Sequence, residues 1–271
     1  MPVQTQDRGR IWRRYEPRES LVRWALWLAG VAVFVWCMQQ ISAGTEWSFV
    51  LDAPEQGADI LDRMIPPEWS YIGVLIRPLW DTLNMATLGT LMAVVVAVPL
   101  AFLAAHNTTP SAALARPFAL FCIVASRSIN SVIWALVLVM ILGPGVLAGT
   151  IAIGLRSIGF IGKLLYEAIE ESDRRPVEAI VATGASRGQV IAYGVVPQVM
   201  PVFAGIAVFR WDINIRESTI LGLVGAGGLG LQLNSSIGNL DWSRVSTILL
   251  AIFATVIVSE WVSARIRKAV T

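Results

Sequence analysis

The chain has 271 residues, of which 55% are hydrophobic and only 15% are charged. A soluble fold of this size needs a charged surface, and soluble domains carry about 25% charged residues, so the composition excludes an ordinary soluble protein. The net charge of +2 is too small to suggest nucleic acid as a partner. Because the apolar residues come in long blocks, we expect an all-α integral membrane protein with several spans.

The cysteines and the single histidine predict no bound group. Cys37 and Cys122 lie inside apolar blocks, where cysteine behaves as a small hydrophobic residue, so they indicate neither a disulfide framework nor a redox compartment. His106 is the one histidine, and a metal site needs several ligands. We therefore expect no metal and no cofactor in this chain.

A basic arm precedes the first apolar block. Residues 1–23 carry six arginines, and residues 24–45 carry no charge. A cleaved signal peptide has the same order, but its apolar part is usually only about 7–15 residues long. We therefore favour a cytoplasmic arm followed by a first transmembrane helix, since the block is long enough to cross a bilayer.

Five further apolar blocks predict a total of six spans. They cover 82–105, 117–142, 146–165, 188–209 and 242–264. Residues 218–240 are also uncharged, but five glycines between 222 and 230 make a regular helix costly there. We expect that segment to be bent or re-entrant and shielded by protein.

The loop charges predict the orientation. Loop 46–81 carries seven acidic residues and two arginines, so we place it outside, where it either docks a partner or caps the helices. Basic residues concentrate in the arm, in 106–116, in 166–187 and in the C-terminal tail. Six spans with both termini in the cytoplasm satisfy this pattern, and 82–271 forms the core.

Segment 172–190 predicts a short cytoplasmic helix, a turn and the start of the next helix. Pro176 suits a first helical turn, Gly184 can end the helix, and Ser186 with Gln189 has the spacing of a capping box. One face of the short helix is apolar, formed by Val177, Ile180 and Val181. This face could dock on a partner protein or lie on the lipid surface.

Arginines inside two predicted spans indicate an anion path. Arg127 and Arg156 lie near the middle of the third and fourth spans, where a charge costs about 2.5–3.5 kcal/mol on insertion scales. The planar guanidinium suits phosphate-like oxygens. The predicted lining residues are Arg127, Ser128, Asn130, Arg156, Ser157, Arg216 and Glu217.

The alternative for these charges is structural. Asp212 and Glu217 could pair with Arg210 and Arg216 inside the bundle, or Arg210 could sit at the external interface. The neighbouring hydroxyl and amide groups could equally hold helices together, which is a common use in membranes.

The glycine-rich stretch raises a separate question. Gly225, Gly227 and Gly228 are predicted to form a gate or a close packing contact. They do not form a nucleotide-binding loop, because no lysine follows them and no strand precedes them.

Glu178-Ala179, Gly184-Ala185 and Pro197 resemble the "EAA…G" loop of permease subunits in bacterial ABC importers, with Ile180 in place of the third alanine. The resemblance implies that loop 166–190 couples the membrane part to an ATPase. The coupling residues it implies are Glu178, Ala179, Ile180, Gly184 and Ala185.

Segments 125–136, 158–186 and 209–230 resemble the phosphonate-permease branch of that family. The resemblance implies an ABC type I importer (MetI-like) fold with about six transmembrane helices, and a transport subunit that is not an enzyme. It also implies a homodimer in the plasma membrane that imports phosphonate, with two ATP-binding subunits that hold ATP and Mg and an external phosphonate- or phosphate-binding protein. Phosphate or phosphite could be the cargo instead.

Two other classes fit the residues less well. A membrane enzyme acting on lipid phosphates needs a set of His, Asp or Glu residues near the interface, and the chain has one histidine and no carboxylate cluster inside its spans. A proton-coupled transporter usually carries titratable groups at mid-membrane. The mid-span charges here are arginines, which do not titrate near neutral pH.

Overall fold

The structure is a computed structural model that describes residues 3–6, 9–12 and 17–270. The chain divides into two units, residues 1–60 and 61–271. The first unit contains an antiparallel hairpin of β1 (Val3–Gln6) and β2 (Gly9–Trp12), in which Val3 pairs with Trp12. The sequence analysis did not predict these strands inside the basic arm.

Two helices follow the hairpin. Helix α1 (Pro17–Gly44) contains the predicted first span and begins earlier, because Pro17 suits a first helical turn. Helix α2 (Trp47–Met64) begins in the first unit and ends in the second. Segment 46–81, predicted to be an external acidic loop, is therefore helical over most of its length, and its external position stays a prediction.

The second unit is helical throughout its regular segments. After a 3₁₀ turn at Trp69–Tyr71 come α3 (Ile72–Ala104), α4 (Ala115–Ser128), α5 (Ser131–Leu142), α6 (Val146–Glu170), α7 (Arg174–Ala182), α8 (Arg187–Val190), α9 (Val196–Leu221), α10 (Gly228–Gly238) and α11 (Trp242–Val270). Turns of π-helix at Ile191–Val195 and Gly222–Ala226 join α8 to α9 and extend α9. Most helices are longer than the uncharged blocks because they include charged residues at their ends.

Within the described residues, five helical stretches are long and apolar enough to cross a membrane, and one bent pair makes a sixth candidate. The five are Arg18–Gly44, Trp69–Ala104, Val146–Glu170, Arg187–Ala226 and Trp242–Ala269. Residues 222–238 form a π turn and the short helix α10 rather than a further span. This agrees with the six predicted spans and with the bent segment at 218–240.

The third predicted span, 117–142, is not one helix. Helices α4 and α5 meet at an angle of 86°. Ile129 is extended, with φ −103° and ψ 133°, and the Asn130 side chain caps α5 by accepting from the Val132 N–H at 3.1 Å. The prediction of a continuous helix is wrong because a local side-chain cap offers the backbone another partner.

Helix α6 lies in the middle of the second unit and packs against α3, α4, α5 and α9. Small residues allow this close packing: a Cβ on Gly89 would lie 2.7 Å from Ile153 Cγ2, and one on Gly162 would lie 3.1 Å from Ile123 Cγ1. The adjoining core contains Met85, Ala135, Ala152, Ile153, Leu221 and Ala226, all buried. Most side chains of α6 are therefore buried or half-buried against neighbouring helices.

The loops of the second unit form two groups, one at each end of its helices. At one end, Glu170 accepts a hydrogen bond from the His106 backbone N–H at 2.8 Å and pairs with Arg116 at 3.4 Å. At the other end, Arg244 pairs with Glu68 at 2.9 Å. Segments 106–116 and 166–187, both predicted to be cytoplasmic, meet at the first end, which is the arrangement that alternating spans require.

Candidate functional site

A cluster of three charges lies between α6 and α9. Glu217 Oε2 is 3.2 Å from Nη2 of Arg210, and Glu217 Oε1 is 3.6 Å from Nη1 of Arg156. The Arg210 side chain is 3% exposed, whereas that of Arg156 is 33% exposed. Glu217 is thus held firmly by the buried arginine and more loosely by the exposed one.

A neutral network holds Arg210 in place. Its Nε donates to Ser157 Oγ at 2.9 Å, and its guanidinium lies 5.1 Å from the Phe160 ring centre. Asn214 donates to the same Ser157 Oγ at 3.1 Å and to Thr90 Oγ1 at 2.8 Å. Ser157 and Asn214 are fully buried, so these bonds satisfy polar groups that water cannot reach. Thr90 and Asn214 were not among the predicted site residues.

The break in the third span lies beside Arg156. Nη1 of Arg156 donates to Asn130 Oδ1 at 3.2 Å and to Ser131 Oγ at 3.4 Å. Helix α5 begins at Ser131, so the positive end of its dipole lies there. The guanidinium and the helix end together make this point favourable for an anion.

Arg127 is the second exposed cation of this region. Its stem packs on α6 at Gly159, where an added Cβ would clash with Cγ of Arg127. Ser126 next to it accepts from the Gly159 N–H at 2.8 Å. Arg127 makes no ion pair or hydrogen bond with any residue that the structure describes, whereas Ser128 donates to Val124 O within its own helix at 2.9 Å.

The remaining charges of α9 form a separate pair. Arg216 pairs with Asp212, which also accepts from Ser259 of α11 at 2.8 Å. On a helix, Arg210 and Glu217 share one face, and Asp212 and Arg216 lie on the opposite face. The structure therefore does not bring Arg216 to the cluster, and the suggested external position for Arg210 is wrong because the residue is buried.

The glycine-rich stretch forms a tightly packed bend. Gly225, Gly227 and Gly228 have φ of 93°, 89° and 70°, which glycine adopts without strain. After the bend, the Leu229 N–H donates to Thr82 Oγ1 at 2.9 Å.

A further close backbone contact joins two other glycines. A Cβ on Gly222 would lie 2.6 Å from Gly230 Cα, so no side chain fits between them. Packing is therefore observed at this bend, while gating stays a prediction.

The predicted coupling segment forms the short helix α7. Val177 and Ile180 face Gly194, where an added Cβ would lie 3.3 Å from Val177 Cα and 3.4 Å from Ile180 Cδ1. Glu178 and Ala179 are exposed. Val181 is 55% exposed, so the predicted three-residue face is only partly covered.

The turn after α7 has the predicted geometry. Gly184 has φ of 78°, and Ala185 leads into the capping box of Ser186 and Gln189 at the start of α8. The Ser186 N–H donates to Gln189 Oε1 at 2.9 Å. The end of α7 and the start of the next helix are thus confirmed.

The described residues contain no group of three or more His, Cys, Asp or Glu side chains placed to hold a metal ion. The second unit instead contains the charged, partly exposed cluster of Arg156, Arg210 and Glu217 among apolar helices. The exposed helix α7 lies at one end of this unit. These features define a multi-span membrane transport protein.

Comparisons with known proteins agree with this class. The model of the family "Binding-protein-dependent transport system inner membrane component" matches residues 80–271. The phosphite transport system permease protein of Stutzerimonas stutzeri is 42% identical over 211 residues, which are 78% of this chain and 76% of that protein. The phosphate-import permease protein of Mycolicibacterium smegmatis is 40% identical over 225 residues, 81% of this chain and 41% of that longer protein.

A chain of the inward-facing methionine ABC transporter MetNI superposes with a TM-score of 0.66 at 23% identity, covering 75% of this chain and 99% of that one. At this identity the likeness shows the fold, which is the predicted MetI-like one. The chain belongs to the family of binding-protein-dependent transport system inner-membrane components. It is the permease component of an ABC importer. Permeases of this family work with ATP-binding subunits and a binding protein, and they are not themselves enzymes.

Proposed function

We propose that this permease moves a small tetrahedral phosphorus oxyanion, with phosphonate as the first expectation and phosphite or phosphate as the alternatives. The observation that carries the proposal is that Arg127 pairs with no residue that the structure describes, together with the partly exposed Arg156 at the N-terminus of α5. A cation inside a span is costly unless it meets water or an anion. The similar permeases are named for phosphite and phosphate transport, and these anions share the oxygen geometry that arginine binds well.

Glu217 gives this path the weak affinity that transport requires. Without cargo, its carboxylate partly neutralises Arg156, at 3.6 Å, while Arg210 holds it at 3.2 Å. An oxyanion reaching Arg156 replaces one carboxylate oxygen, and Glu217 keeps its contact with Arg210. Because each new contact replaces an old one, the cargo gains little free energy and can leave again.

The proposed assembly is the one that the family resemblance implies. Two copies of the chain form a homodimer around the path, with both termini in the cytoplasm. Helix α7, with Glu178 and Ala179 exposed, docks on one of two partner ATPases that bind ATP and Mg. An external binding protein for phosphonate or phosphate delivers the cargo.

The test is ATP hydrolysis by the complete transporter in lipid nanodiscs with its binding protein. Methylphosphonate, phosphite, phosphate and no substrate are compared, and the anion that stimulates hydrolysis identifies the cargo. We expect Arg156→Gln and Arg127→Gln to abolish stimulation while the complex still assembles.

Lys163→Gln is the matched control, because Lys163 lies two turns further along α6 and pairs only with Glu167, at 3.5 Å. It should retain stimulation. Normal stimulation in both arginine variants, or stimulation by none of the anions, would contradict the proposal.

A further inference from the structure

Helix α2 has one apolar and one acidic side. At about 100° per residue, its polar side chains fall within roughly a third of the circumference. They are Ser48, Asp52, Glu55, Gln56, Asp59, Asp62 and Arg63. The rest of the circumference carries tryptophan, phenylalanine, valine, leucine and small residues.

The residues that the structure describes in the first unit do not cover the apolar side. None of the residues of α2 is buried. Phe49 is 65% exposed, Leu51 76% and Leu61 60%. A continuous apolar helix face left in water is unfavourable, and such a surface marks an interaction site.

The start of α2 is fixed at the end of a membrane span. Helix α1 ends at Gly44, and α2 begins at Trp47. The Trp47 Nε1–H donates to the carbonyl oxygen and to the hydroxyl of Ser42, both at 3.2 Å, in the last turn of α1. Tryptophan with its N–H bound in this way is typical of the membrane–water interface.

We propose that α2 lies in the membrane–water interface with its apolar side in lipid and its acidic side in water. The span before it places its first residue at the bilayer surface, and its two-sided pattern is that of an interfacial helix. Such helices usually carry Lys and Arg on the polar side, whereas this one carries four carboxylates against one arginine. Its binding therefore depends on apolar contact and on the tether to α1, and it needs no anionic lipid.

Spin labels on single cysteines test this in the full-length chain in nanodiscs. Cys37 and Cys122 are first replaced by Ala. Labels on Val50→Cys and Leu61→Cys report the apolar side, and labels on Ser48→Cys and Asp52→Cys report the acidic side. Accessibility to oxygen, which concentrates in lipid, is compared with accessibility to a water-soluble nickel chelate.

We expect Val50→Cys and Leu61→Cys to be several-fold more accessible to oxygen than to nickel, and the other two labels to show the reverse. The contrast should be the same in zwitterionic and anionic nanodiscs. Four water-accessible labels would overturn the proposal. Apolar-side labels that neither reagent reaches would also overturn it, because a protein surface, such as a second copy or a binding protein, would then cover the helix.

Discussion

Arg210 and Glu217 form an ion pair across two turns of α9, with Nη2 and Oε2 3.2 Å apart and the arginine almost wholly buried. Both charges belong to one helix, so their spacing does not depend on how α9 sits against its neighbours. Glu217 then extends its second oxygen to Arg156 on α6. The pair is thus the fixed part of the cluster, and Arg156 is its more exposed part.

Removal of the carboxylate should destabilise the permease. Glu217→Gln leaves the buried Arg210 without its counter-charge, and breaking a buried pair in this way costs about 3–5 kcal/mol. The expected result is a clear fall in thermal unfolding temperature in nanodiscs. Arg210→Gln combined with Glu217→Gln should recover part of the loss, and a double variant less stable than the single one would contradict the ion-pair explanation.

Asn214→Ala should destabilise the chain without altering its charge. It removes the donor to Thr90 and to Ser157 at a buried point, and such a loss costs about 1–3 kcal/mol. Thermal unfolding is the measurement. Asn239→Ala is the control, because Asn239 is exposed after α10 and should leave the unfolding temperature unchanged.

Two glycines of α10 should respond oppositely to alanine. A Cβ on Gly230 would overlap the Thr219 carbonyl oxygen, whereas one on Gly238 would meet no atom within 4 Å. We expect Gly230→Ala to reduce the yield of folded protein severely and Gly238→Ala to be tolerated, because alanine favours a helix over glycine. Equal yields by size-exclusion chromatography would show that the 219–230 packing is not tight.

Charge reversal on α7 should separate assembly from folding. Glu178→Arg changes an exposed side chain, so the permease should fold normally but lose its ATPase in co-purification. Glu46→Arg, at an exposed carboxylate outside segment 166–190, is the comparison and should retain the ATPase. If Glu178→Arg co-purifies with a full complement of ATPase, α7 is not the docking element.

The sequence predicted the spans and the coupling helix because both have strong local signals. Apolar blocks located five long helices and the broken sixth candidate, and the capping-box spacing at Ser186 and Gln189 located the start of α8. The break at Ile129 was missed because no proline or glycine marks it. An asparagine cap followed by apolar residues is not distinctive inside an apolar block.

The charged cluster was only partly predictable. Spacing along α9 places Arg210, Asn214 and Glu217 on one face and Asp212 and Arg216 on the other, which would have separated the two pairs. The partners on other helices, Ser157 and Thr90, depend on how α3, α6 and α9 pack. A single sequence carries no information on that packing.

Hydrogen bonds between Asp173 and Gln198 join the start of α7 to the start of α9, and this link has a mechanical consequence. The Asp173 N–H donates to Gln198 Oε1 at 3.0 Å, and Gln198 Nε2 donates to the carbonyl oxygens of Asp173 at 3.2 Å and Gly194 at 2.6 Å. From Gly194 the chain continues without a loop to Arg210, about 24 Å away at 1.5 Å per residue. Helix α9 is thus bonded at one end to the start of α7. We therefore expect a displacement of α7 to tilt α9 and to move Arg210 and Glu217.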